Sequence, residues 1–546
     1  MHGVRGRNNA APRRRRLLPA CFGVRACRSS RNPPNRYMSA SSPPPTSVTL
    51  SPLIRVVVTC STMLATVLQG VDATIANVAL PYMQGSMSVS QEQIDWVLTS
   101  YIVTAAIMTT PTSFLVARFG RTRLFIGIVV GFTLASVLCG MAQTLGEVVC
   151  FRILQGMCGA SLVPLSQVVL MDIYPPEKRG SAMSIWTMGV MIGPILGPTL
   201  GGFLTAHYSW RAVFYVNVPF GILAATGLLF CPPEIAPRRS FKLDWIGFIG
   251  LSVAIGMFQT VLDRGETLDW FSSKEIIVET FLAGIGFYIF IVQFLFASKP
   301  FLSPQLFKDL NFLIGMVLIF VVGATVYATL ALLAPYIQDL MNYPVSTAGL
   351  VLAPRGFGSM LAAFFCGRLL TRGLSPRIMV AAGFVFAAYS EYRMVYWTPD
   401  ISVAAFISTG FIQGMGVIMI TVPIATIAFM TLPIDLRTEA TSVFSLLRNL
   451  GSAIGISVTS ALLEVSTQVN HADISSAVTP FNRALASGAP LQYWNPLRPE
   501  SVAALDSVIN RQGIIIAYSN DFKLLFLMTA LTLPLVLLIR APAKQA

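Results

Sequence analysis

Phe151-Arg152-Ile-Leu-Gln155-Gly156-Met157-Cys158-Gly159 opens a stretch that runs on to Gly202 and decides how this chain folds. Two apolar segments are joined by a short charged hairpin, Tyr174-Pro-Pro-Glu-Lys-Arg-Gly180. The second segment carries Gly189, Gly193, Gly197 and Gly201, with Pro194 and Pro198 between them. Glycines at every fourth position line one helix face and let a neighbouring backbone come close, a packing mode favoured in lipid. The two prolines remove backbone donors from the same turns and predict a bent helix. An arginine inside one span, beside a close-packed second span, is more than a passive anchor needs.

The stretch recurs. At an offset of 258 residues Gln155-Gly156-Met157 meets Gln413-Gly414-Met415. Without a gap Pro175 meets Pro433, Glu177 meets Asp435 and Arg179 meets Arg437; Gly193 and Gly197 meet Gly451 and Gly455. Apolar composition alone explains the glycines but not a charged hairpin in the same frame. The chain therefore reads as two membrane halves related by duplication, a plan common among secondary transporters.

Composition agrees. Hydrophobic residues make up 54% of the chain and charged residues only 11%, against about 25% charged in globular domains. Long unbroken apolar runs predict an all-α, polytopic membrane protein and exclude a transmembrane barrel, whose strands would alternate. Windows of about twenty residues place fourteen spans: 53–74, 94–116, 123–142, 147–170, 181–205, 212–231, 244–262, 276–297, 311–334, 347–370, 378–397, 401–424, 441–463 and 519–540. They divide into a six-helix half over 52–231, a linker with two inserted spans over 232–310, and a second six-helix half over 311–546. Residues 464–518 read as an extramembrane loop of that second half.

The net charge of +14 is concentrated at the amino terminus, where residues 1–37 hold ten arginines and no Asp, Glu or Lys; the remainder carries +4. A role in binding nucleic acid would rest on that tail alone. Residues 1–51 read as a disordered basic segment. For 1–37, a start of translation at Met38 is favoured over a transit peptide. Between the spans and at the carboxyl end, Lys and Arg number sixteen on the side of the termini and six on the other, which predicts both termini in the cytoplasm. The cysteines show no disulfide framework and the three histidines no metal-ligand spacing. No phosphate-binding loop is present, so no ATP site and no cofactor are expected. Nor does any nucleophile–base or paired-carboxylate constellation speak for an enzyme.

Ionisable residues within spans are costly in lipid unless paired or water-lined, and so mark function. Asp72 is placed near the outer end of span one, as a proton carrier or a counter-charge for a cationic substrate; a helix-capping role is the plain alternative. Arg152 is placed in the inner part of span four, where with Gln155 it reads as a coupling residue. Arg355, Glu391, Arg393 and Arg448 are further candidates in the second half, although Glu391 and Arg393 could equally sit at a helix end and snorkel to water. The 22 Met and 35 Phe would suit a polyspecific apolar pocket, but fit plain core or lipid-facing roles as well.

These motifs together resemble the major facilitator superfamily, and within it the fourteen-span drug:proton antiporters of the EmrB/QacA type. The resemblance rests on Asp72-x-Thr74-Ile75-x-Asn77-Val78-Ala79-Leu80-Pro81, Arg152-x-x-Gln155-Gly156, the Gly/Pro face of span five, and Trp210-Arg211 with Asn217-x-Pro219-x-Gly221. The family's loop motif between spans two and three is present as Ser113 to Thr122, with Arg118, Gly120 and Arg121 in place and Ala117 where the family has an aspartate. The stretch from Leu262 to Lys274 looks like the Gram-negative EmrB branch. The resemblance implies a proton-driven exporter of apolar or cationic small molecules working by alternating access in the inner membrane. It also implies a periplasmic adaptor and an outer-membrane channel as partners. An exporter of one metabolite, of fatty-acid or siderophore type, and a sensor or scaffold without transport are the competing readings.

Overall fold

The computed structural model describes residues 51–231, 244–478 and 499–539, apart from positions 95, 176–177, 266, 299, 301, 431 and 434–435. The basic tail, Glu177 and its repeat partner Asp435 fall outside the described residues. So do the side chains of Pro194 and Pro198, although the helix runs through both positions without a break.

Among the described residues every predicted span is helical. The helices are α1 Pro52–Met87, α2 Trp96–Thr109 with Thr112–Phe119, α3 Arg121–Met141 and α4 Leu145–Ile173. Then come α5 Arg179–His207, α6 Ala212–Leu228, α7 Trp245–Arg264 and α8 Lys274–Phe296. The second half has α9 Leu310–Leu340, α10 Val345–Thr371, α11 Pro376–Val395, α12 Val403–Met430, α13 Arg437–Ala477 and α14 Pro499–Val536. Among the described residues eleven helices are long and apolar enough to cross a bilayer, and α2 makes twelve when its two pieces count as one span. Those pieces meet at 62° around Pro111, which has no backbone N–H to continue the ladder. Gly120 then reverses the chain into α3 with φ of 85°, a conformation that favours glycine.

The two halves repeat one packing pattern. In the first, α1 lies against α5 and α6, α4 against α2 and α3, and α3 against α6. In the second, α9 lies against α13 and α14, α12 against α10 and α11, and α11 against α14. The inserted α7 and α8 form a close pair in which a Cβ on Gly286 would stand 2.7 Å from the Gly250 carbonyl oxygen. Helix α7 seats against α2 of one half and α13 of the other, and Thr99 donates to Asp263 across the first of these contacts. Helix α8 is left facing outward, with Phe281, Phe287 and Tyr288 exposed, as lipid requires.

Two expectations change. Helix α1 continues well past position 74, with Pro81 inside it, so Asp72 stands in its middle and not at a capping end. The hydropathy window closed early because Asn77, Pro81, Gln84 and Ser86 follow within the next few turns. The segment 464–518 is also largely helix: α13 extends to Ala477 and α14 begins at Pro499. With 41 and 38 residues, at about 1.5 Å each, both helices run roughly 30 Å beyond a bilayer core. The projecting turns are tied by Asn470 Nδ2 donating to the Gly513 carbonyl at 3.3 Å and by the pairing of His471 with Asp506 at 2.9 Å.

Candidate functional site

Five helices converge on the Asp72 carboxylate. Arg152 Nη1 donates to Oδ2 at 2.7 Å, while Gln155 Nε2 and Asn217 Nδ2 donate to Oδ1 at 2.8 and 2.9 Å. Helix α4 supplies Arg152 and Gln155 one turn apart, so both reach the same side of α1. Helix α6 supplies Asn217, whose amide also donates to Ser136 Oγ of α3; that hydroxyl in turn donates to the Phe214 carbonyl. Helix α2 completes the shell: the Val97 carbonyl accepts from Arg152 Nε at 3.1 Å, and the guanidinium lies 4.2 Å over the Tyr101 ring. Asp72, Arg152 and Gln155 have no exposed surface.

A buried ion pair is tolerated when the remaining lone pairs and protons are satisfied, and removing one member leaves a charge stranded. Here both carboxylate oxygens are engaged. Sequence reasoning singled out Asp72, Arg152 and Gln155 but not their pairing, and did not rank Asn217, Tyr101 or Ser136 as site residues. Asn217 was the findable one, a carboxamide inside an apolar run. Arg152 also lies elsewhere than expected. It is two turns from the start of α4, at the level of Asp72, toward the loop at 142–144 and away from the end of the bundle where α1 begins.

The glycine face of α5 seats on the same helix. A Cβ on Gly193 would meet Gly70 Cα at 2.8 Å, one on Gly197 would meet Thr74 Oγ1 at 2.0 Å, and one on Gly201 would meet the Ile75 carbonyl at 3.0 Å. Gly189 faces the flexible end of Met63 at 3.0 Å. These contacts bracket Asp72 on both sides along α1. The duplicated glycines act alike on α9: a Cβ on Gly451 or Gly455 would meet the carbonyl of Phe320 or Ala324 at 2.1 or 2.2 Å.

The second half keeps the frame and changes the charges. Gln413 donates to Thr329 Oγ1 at 3.4 Å, as Gln155 does to Asp72, so a hydroxyl stands where the first half has a carboxylate. Gly410 occupies the repeat position of Arg152, and its face opens onto Arg355 Cβ from α10. Arg355 is buried, with Nη2 donating to the Val326 carbonyl at 3.4 Å. Glu391 is buried in α11 and does not snorkel, whereas Arg393 is exposed near that helix's end beside Tyr389. Arg448 is half-buried in α13.

In the loop motif, Arg118 is exposed at the end of α2, and Arg121 pairs with Asp172 at the end of α4. The acidic partner of the motif arginine thus comes from α4, although Ala117 replaces the expected aspartate.

Comparisons with known proteins fit this frame. The Major Facilitator Superfamily profile matches residues 62–456. The chain is 34% identical to the multidrug export protein EmrB of Escherichia coli K12, over 86% of this chain and 92% of the relative. It is 35% identical to the fatty acid resistance protein FarB of Neisseria gonorrhoeae, over 89% and 96%. A bacterial homologue of the human lysosomal transporter Spinster, solved inward-facing and occupied, superposes with a TM-score of 0.53 at 18% identity, covering 91% of this chain and all of that one. The chain is a multi-pass membrane protein that belongs to the major facilitator superfamily of transporters.

Proposed function

We propose that the protein exports apolar or cationic small molecules across the cytoplasmic membrane in exchange for protons, by alternating access. The observation that carries this reading is the Asp72–Arg152 pair, buried where the glycine face of α5 meets α1. A proton or a cationic substrate arriving at Asp72 competes with Arg152 for the carboxylate. Separating the pair strands the guanidinium, at about 3–5 kcal/mol, and that energy is available to reseat α1 against α5. One proton crossing 100 mV brings about 2.3 kcal/mol, enough for roughly fifty-fold accumulation at about 1.4 kcal/mol per tenfold. No cofactor enters this scheme.

The names of the relatives support export of small molecules, and the basic loops support termini in the cytoplasm. A periplasmic adaptor and an outer-membrane channel belong to this reading through the resemblance of Leu262–Lys274 to the EmrB-like branch. The likeness to FarB favours a second reading, export of fatty-acid-like amphiphiles. The test is efflux from liposomes under an inward proton gradient, with ethidium in one arm and a fluorescent fatty acid in the other. Ethidium efflux that collapses with an ionophore and with Asp72→Asn supports antiport. Flux of the fatty acid alone supports the second reading. Flux indifferent to the gradient sinks proton coupling.

A further inference from the structure

Asp72 has a donor for each oxygen; the second half contains a carboxylate with none. Asp521, on α14, is fully buried, and neither Oδ1 nor Oδ2 meets a hydrogen-bond donor among the described residues. An isolated carboxylate deep in protein is expensive as an anion and must hold a proton or find a cation.

Its surroundings lead out to water. One turn earlier on the same helix stands Tyr518, in ring contact with Tyr336 of α9 at 5.2 Å. Tyr518 lies within electrostatic reach of both Asp521 and Asp339, and Asp339 is exposed on the π-helical turn Tyr336–Leu340 that ends α9. Such turns are rare and frequent at functional sites. The Tyr336 hydroxyl and the Trp397 indole N–H in this aromatic cluster are also buried without partners.

The file continues inward. Tyr518, Phe522, Leu525 and Thr529 are buried at helical spacing along α14. Helix α14 packs there against α11, in which Glu391 is buried, and the Thr529 hydroxyl and Glu391 Oε2 both lack a hydrogen-bond partner among the described residues. Arg355 is within electrostatic reach of Glu391, yet no ion pair joins them. The other charged or titratable groups on these helices do not neutralise Asp521. Arg511 donates to the Leu340 carbonyl, while Lys523, Glu464 of α13, and Tyr392, Arg393 and Tyr396 at the end of α11 are exposed.

We propose that Asp521 and Glu391 form a second proton-binding route, reached from the aqueous edge at Asp339. With no described side chain donating to it, Asp521 exchanges its proton with water entering from the Asp339 edge, and Glu391 takes and releases a proton at its own unpartnered Oε2. The route deepens the proton coupling proposed above and rests on it for its role in transport. Protonation of Asp521 can be measured without transport.

The test uses the purified full-length protein without substrate, by infrared difference spectroscopy between acid and alkaline pH. Asp521→Asn is expected to remove one component of the protonated-carboxyl band, and Asp521→Glu to keep a shifted one. In liposomes Asp521→Asn and Glu391→Gln are expected to slow gradient-driven efflux about tenfold or more while gradient-free exchange persists. Asp521→Glu guards against a folding defect by restoring efflux. An unchanged band in Asp521→Asn, with efflux at the wild-type rate, overturns the route. If the Asp521 band titrates in a wild-type protein whose flux ignores the gradient, the antiport reading falls and the proton site stands.

Discussion

Gly193 of α5 meets Gly70 of α1 backbone to backbone, two residues before Asp72, with room for no Cβ between them. The helix that carries the buried carboxylate and the helix read as the hinge therefore share one contact. Any shift of α5 is felt by the turn that presents Asp72 to Arg152.

Gly193→Ala places a methyl group 2.8 Å from Gly70 Cα, and neither backbone can yield without moving a helix. Overpacking of this kind costs about 1–3 kcal/mol. Thermal unfolding in detergent should fall accordingly, and export should fall with it. Gly189→Ala meets only the flexible end of Met63 and should behave nearly as wild type. Equal loss in both variants would remove the special status of the Gly70 contact.

The Asp72–Arg152 pair makes a non-additive prediction. Arg152→Gln strands a carboxylate and Asp72→Asn strands a guanidinium, each destabilising by roughly 3–5 kcal/mol. The double variant removes both charges and should lose less than the sum, with a coupling of about 0.5–3 kcal/mol. Unfolding midpoints of the four proteins measure this directly. Additive losses would mean that the two residues do not act as a pair.

How much of this was open to sequence follows from the range over which each signal acts. Hydropathy marked the apolar part of each span, and the offset of 258 residues marked the duplication, because both are local or periodic. The pairing of Asp72 with Arg152 spans 80 residues and leaves no local trace. Asp521 escaped notice for another reason: it is the third residue of the predicted last span, 519–540, where a carboxylate does not stand out from a helix end. Helix α14 in fact begins at Pro499, and a helix that continues into water carries no hydropathy signal. The same limit turned 464–518 into a loop on paper.

Arg121 and Asp172 hold the turn between α2 and α3 to the end of α4. Asp172 is about one-third exposed, so the pair should contribute no more than about 1 kcal/mol to stability. Its expected effect is on transport. Arg121→Asp should lower efflux, and Arg121→Asp combined with Asp172→Arg should recover much of it, with unfolding midpoints nearly unchanged throughout. Failure of the swap to recover efflux would assign Arg121 a role apart from Asp172.

The projecting ends of α13 and α14 allow the orientation to be checked in whole cells. Asp506 is exposed on the projecting part of α14, well beyond its apolar part, whereas Arg118 is exposed in the turn at the opposite end of the bundle. With both termini cytoplasmic, Asp506→Cys should react with a membrane-impermeant maleimide in intact spheroplasts, and Arg118→Cys only after lysis. The native Cys60 and Cys150 are exposed, so both are first replaced by serine to clear the background. Labelling of Arg118→Cys before lysis, with Asp506→Cys protected, would invert the topology. Asp339 would then open toward the cytoplasm, and protons would reach Asp521 from the side against which the gradient works.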